Sequence, residues 1–129
     1  MEAISAGAAS AGGHVIGITC TQIENWRNTK ANPWVKEEHK AETLTQRLEQ
    51  LIDICDAAIA LPGGPGTMTE IALMWNMMVI QAIPPKKLFL VGEGWKATLD
   101  QFSHSLGEYS NPAQLGMLSF APSIDSIDL

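Results

Sequence analysis

The stretch that most constrains this chain is "ALPGGPGT", residues 60–67, where two prolines and three glycines separate an apolar run from a helix-like run. Proline locks φ and removes an amide donor, and glycine lacks Cβ, so this backbone suits a turn rather than an element interior. The run before it, Asp56 to Pro62, has the length and continuous apolarity of a strand buried in a parallel sheet. After it, Ile71, Leu73, Met74, Met77 and Met78 predict a largely buried helix from about Thr67 to Met78. A strand, a glycine turn and a helix in that order form the kind of junction where open α/β sheets bind ligands.

The rest of the chain repeats the alternation. Residues 1–11 are Ala-rich and helix-compatible, and Gly12-Gly13 stop them. "HVIGIT" (His14 to Thr19) reads as a buried strand, and Thr43 caps a helix carrying Leu44, Leu48, Leu51 and Ile52 on one stripe. Lys87 to Gly92 is a further strand, Trp95 to Phe102 a further helix, and Met117 to Ala121 a last strand. Cys20 to His39, with Trp26, Asn32, Pro33 and Trp34, fits no period and reads as a functional or interface loop or as short helical turns. The resulting order, (α)βαβαβαβ, predicts an α/β fold with a mostly parallel sheet, and 129 residues predict a single domain over 1–129.

Composition removes several function classes. A net charge of −6 argues against a nucleic-acid surface, although backbone amides can still hold one phosphate. No run of about 18 apolar residues is present, and the N-terminus lacks the basic start and apolar core of a signal peptide, so a cytoplasmic protein is expected. Cys20 and Cys55 read as reduced thiols, buried or half-buried. His14, His39 and His104 share no metal-ligand spacing with each other or with the cysteines, so neither a metal nor a cofactor is expected.

The glycine turn has the makings of a phosphate cradle. Gly63, Gly64 and Gly66 let the backbone take left-handed conformations and approach a ligand, and Thr67 opens a helix whose first amides and dipole favour an anion. Thr67-Met68 stands where a Walker loop requires Lys-Ser/Thr, and Thr69 occupies the place of the third glycine of a dinucleotide fingerprint. A monophosphate fits better than either. Glu70 has two readings: Thr67 to Glu70 matches a capping box, and a carboxylate here also suits chemistry at the sugar end of a ligand. Arg47 by itself reads as a solvated helix arginine.

Pro62-Gly63-Gly64-Pro65-Gly66-Thr67-Met68-Thr69-Glu70 resembles the P-G-G-x-G-T-x-x-E signature of the Lonely Guy (LOG) family, the cytokinin riboside 5′-monophosphate phosphoribohydrolases and their bacterial relatives, often labelled lysine decarboxylases. "AGGHVIGIT" is similar to the family's second strand, and Arg47, nine residues before Asp56, matches the family's arginine at that spacing. The resemblance spans roughly residues 1–102. It implies a Rossmann-like, three-layer parallel sheet in a homodimer that cleaves the N-glycosidic bond of a nucleoside 5′-monophosphate, AMP-like or a cytokinin riboside monophosphate, to free base and ribose 5-phosphate. It implies further that Gly63, Gly64, Gly66 and Thr67 hold the phosphate while Glu70 and Arg47 form the catalytic pair. The apolar helix after the loop, with Ala72, Leu73, Trp75, Asn76 and Met77, then suggests a dimer interface.

The chain departs from the family in three places. Leu48 stands where members often carry Lys, and Thr69 where plant-type members are acidic. By the same resemblance, Met1 aligns near the methionine of a G-G-x-x-G-L-M loop, so the chain is expected to lack the family's first strand and that loop. His14 to Thr19 and Asp56 to Pro62 would then miss a neighbour. Other readings remain at this point: a non-catalytic nucleotide or molybdenum-cofactor carrier, or an inactive partial protein. His39-Lys40 invites a pyridoxal-phosphate decarboxylase, but the chain is short for the usual pyridoxal folds. Trp26 and Trp34 either line a base pocket or pack on a core or interface.

Overall fold

A computed structural model describes residues 2–27, 31–109 and 111–128. The chain divides into two compact units, Met1–Ile54 and Cys55–Leu129, and both are α/β with parallel strand pairing. The α/β class with parallel strands expected from the alternation, Rossmann-like as the resemblance implies, is therefore present.

The first unit begins with α1 (Glu2–Ser10), which stops where the two glycines predict. Gly12 adopts φ +81° and Gly13 N donates to Ala8 O at 2.8 Å, closing the helix end in the left-handed conformation that glycine adopts without cost. Strand β1 (Ile16–Cys20) follows, then α2 (Thr21–Arg27), β2 (Glu37–Ala41) and α3 (Leu44–Ile54). Strands β1 and β2 pair in parallel from Ile16 opposite Glu37 to Cys20 opposite Ala41. The cap expected on α3 is formed reciprocally. Gln46 N donates to Thr43 Oγ1 at 3.3 Å, and Thr43 N donates to Gln46 Oε1 at 3.2 Å. Among the described residues of this unit, Ile18, Cys20, Ala41, Leu48 and Ile52 are buried.

Helix α2 is one of the short helical turns allowed for between Cys20 and His39, whereas strand β2 corrects the reading of that stretch as loop or helical turns alone. The sequence of β2, "EEHKA", is polar at four of five positions, so it lacks the apolar alternation by which strands are recognised. It forms because β1 supplies the ladder, and its outward charges suit an exposed strand. One of those charges meets two histidines. Glu37 accepts hydrogen bonds from His39 Nε2 at 2.6 Å and His14 Nε2 at 2.9 Å. The His39 bond first, then that of His14, holds the Glu37 carboxyl below its ordinary value of 4.5. A carboxyl whose pKa falls on folding stabilises the fold above that ordinary value and loses its contribution as pH drops through the lowered one. Thermal midpoints of the wild type and Glu37→Gln, followed from about pH 7 to about pH 3, are therefore expected to differ most at the neutral end and to converge in acid. Parallel curves would rule this out.

The second unit runs β3 (Ala57–Ala60), α4 (Pro65–Val79), β4 (Lys87–Val91), α5 (Glu93–Leu106), α6 (Pro112–Leu115) and β5 (Leu118–Ala121), with single 3₁₀ turns before α6 and after β5. Its sheet has the order β3-β4-β5, all parallel, with Ala60 opposite Leu90 and Leu90 opposite Phe120. Strand β4 is central and the most buried, with Leu88 and Leu90 almost inaccessible. Ile71, Met74 and Met78 of α4 and Trp95 and Leu99 of α5 are buried as well. No helix among the described residues is long and apolar enough to cross a membrane. Both cysteines carry free thiols, Cys20 buried and Cys55 half-buried.

Candidate active site

The glycine loop leaves the end of β3, turns through Leu61 to Gly64 and enters α4. The helix starts two residues earlier than the sequence suggests. Gly64 is the N-cap, with φ −97°, and Pro65 takes the first helical position, where its fixed φ suits a helix and its missing amide costs nothing. The first intrahelical bond runs from Met68 N to Gly64 O at 3.1 Å, so the amides of Gly66 and Thr67 lie ahead of the hydrogen-bonded ladder. No side chain caps this end, and the first turn carries no acidic residue. Such a terminus, partly positive and uncapped, attracts an anion.

This geometry overturns the capping-box reading of Glu70. With Gly64 as N-cap, Thr67 is the third helical residue and Glu70 the sixth, one turn too late to reach back to the cap amide. Glu70 is half-buried in the second turn of α4. Thr69, at the position where plant-type members are acidic, turns its hydroxyl back to Pro65 O at 2.9 Å.

The glycines earn their places differently from the expectation. Among the described glycines only Gly12 and Gly92 have positive φ, so left-handed backbone is not what Gly63, Gly64 and Gly66 provide. At Gly63 the reason is close approach: a Cβ there would lie 2.9 Å from Thr67 Cβ and nearer still to its hydroxyl. At Gly64 and Gly66 a Cβ would meet nothing within 4 Å, so these two leave open space in front of the helix start. Residues 62–66 are exposed and Thr67 is half-buried.

Arg47 lies in the first unit, in the second turn of α3. It is half-buried and not a solvated helix arginine, because its Nε donates to Ile18 O of β1 at 3.0 Å. That bond fixes the side chain against the strand. Leu48, in the place where the family often has Lys, is a core residue 6% exposed. The structure thus gathers Gly63, Gly64, Gly66, Thr67 and Glu70 on one loop and helix of the second unit, and anchors Arg47 within the first.

Sequence reasoning passed over two residues that shape the loop. Trp95, buried near the start of α5, donates its indole N–H to Leu61 O at 3.0 Å. Gly92, at φ +99°, stands where a Cβ would come within 3.4 Å of Pro62 Cγ. The available signal was a glycine directly after a strand with an aromatic three residues on. Neither Trp26, 78% exposed, nor Trp34, 43% exposed, packs in a core.

A family model described as "Possible lysine decarboxylase" matches residues 1–127. No curated protein matches the chain.

Proposed function

The chain belongs to the family described as possible lysine decarboxylases, which includes the LOG proteins, and on that premise we propose that it hydrolyses the N-glycosidic bond of a nucleoside 5′-monophosphate. The substrate is AMP or a close relative, and the products are free base and ribose 5-phosphate. The observation that carries this reading is the uncapped N-terminus of α4, with Gly64 as N-cap, Pro65 first in the helix and open space at Gly64 and Gly66. It offers an anion the amides of Gly66 and Thr67 without a competing carboxylate in the first turn.

The chemistry follows from the parts. As the bond from C1′ to the base nitrogen lengthens, positive charge develops on the ribose ring, and a carboxylate beside it lowers the barrier. In this reading Glu70 supplies that charge and positions the water whose oxygen bonds to C1′, while the base leaves with a proton. Its place beyond the first helical turn suits it to the sugar rather than the phosphate. Arg47, always cationic and planar, is the second member of the proposed catalytic pair. No metal or cofactor enters the scheme. A homodimer and a cytoplasmic location belong to the same proposal.

The test is incubation of the purified protein with AMP, with adenine and ribose 5-phosphate followed by chromatography. Both products are expected in equal amounts. A phosphorylated nucleotide or molybdenum-cofactor ligand that copurifies, with no base released, favours the carrier reading instead.

A further inference from the structure

We infer that Trp95 is the positioning residue of the anion-binding loop, holding the Leu61–Pro62 step so that the amides of Gly66 and Thr67 face the phosphate. This rests on reading the loop as a phosphate cradle. The ladder between β3 and β4 ends at Ala60 opposite Leu90, so the Leu61 carbonyl already lies beyond the paired strands. Its partner is the indole N–H of Trp95, 3.0 Å away on a side chain 7% exposed. A hydrogen bond shielded in this way meets little competition from water and fixes the plane of the peptide that leads into Pro62.

A second contact from the same β4–α5 turn supports the first. Gly92 N donates to Ala121 O at 2.8 Å, which ties the turn to β5, and Gly92 leaves just enough room for the Pro62 ring. The proline ring restricts rotation at the next step, so the orientation set at Leu61 is passed on to Gly63, which packs against Thr67. Residues 62–66 are exposed, and Gly64 brings no side-chain bond to the helix start. Trp95 therefore acts on the ligand through the loop.

Two variants separate the hydrogen bond from the bulk. Trp95→Phe keeps an aromatic ring and removes the donor, whereas Trp95→His carries Nε2 at the ring position of the indole Nε1 and loses the second ring. Hydrogen exchange of the free protein reads the loop without any turnover. Amides in 63–68 are expected to exchange about tenfold faster in Trp95→Phe, with other segments unchanged, and less than about threefold faster in Trp95→His. In the AMP assay, KM is expected to rise about tenfold in Trp95→Phe with kcat within about twofold of wild type. Unchanged exchange in Trp95→Phe, greater loss in Trp95→His, or a fall in kcat at constant KM overturns the assignment. Should the wild type release no base, the hydrolase reading fails, and the exchange comparison still decides the role of Trp95.

Discussion

Glu70→Gln is expected to lower kcat for AMP hydrolysis by about 100- to 1,000-fold while changing KM by less than about threefold. The substitution preserves shape and hydrogen-bonding reach and removes only the charge. A cationic sugar in the transition state is sensitive to that loss, whereas the bound ground state is neutral at C1′. Glu70 stands at the sixth position of α4, so the substitution leaves the helix start as it is. Thermal melting beside the kinetics checks this. Arg47→Ala is expected to show a rate loss of similar size together with a stability loss of about 1 kcal/mol, because its bond to Ile18 O goes as well. Adenine release at full rate from Glu70→Gln would place the chemistry on other residues.

The glycines of the loop are expected to separate into two behaviours. Gly63→Val brings a Cβ to within 2.9 Å of Thr67 Cβ, closer than real Cβ atoms approach a neighbour, so the loop or the first turn of α4 must shift. Overpacking of this kind costs about 1–3 kcal/mol of stability, and a displaced amide pair should weaken binding of ribose 5-phosphate by about 100-fold or more. Gly66→Ala meets nothing within 4 Å and lies in a helical turn, where alanine is favoured over glycine by up to about 1 kcal/mol. Its melting temperature should therefore rise while its affinity for ribose 5-phosphate falls about tenfold, because the added methyl stands where the anion approaches. Calorimetric titration and melting of both variants test the pair. A Gly66→Ala protein that gains stability and binds as well as wild type would remove Gly66 from the cradle.

Much of the fold is legible because its strands are apolar and its helices periodic. "DAAIALP" and "KLFLVG" contain the strands the structure shows, β1 overlaps "HVIGIT" and runs one residue further to Cys20, and the Thr43–Gln46 cap begins α3 where its side chains predict. Strand β2 was hidden because a strand stabilised by its neighbour's ladder needs no apolar alternation of its own. The start of α4 was misplaced for a different reason. Two local signals compete there, proline at the first helical position and a Thr-x-x-Glu pattern, and the backbone follows the proline because a fixed φ constrains it more than an optional side-chain bond.

The sequence by itself determined the α/β class, the family and the short segment on which Gly63, Gly64, Gly66, Thr67 and Glu70 fall, because these depend on local pattern and on a contiguous signature. Only the tertiary structure decided what these residues do to one another. It made Gly64 the cap, freed Glu70 from the capping role, tied Arg47 to Ile18 O, and set Trp95 and Gly92 against the loop from the next crossover. Those outcomes depend on which strand ends lie side by side, and residues 29 or 34 positions apart meet only when the chain has folded.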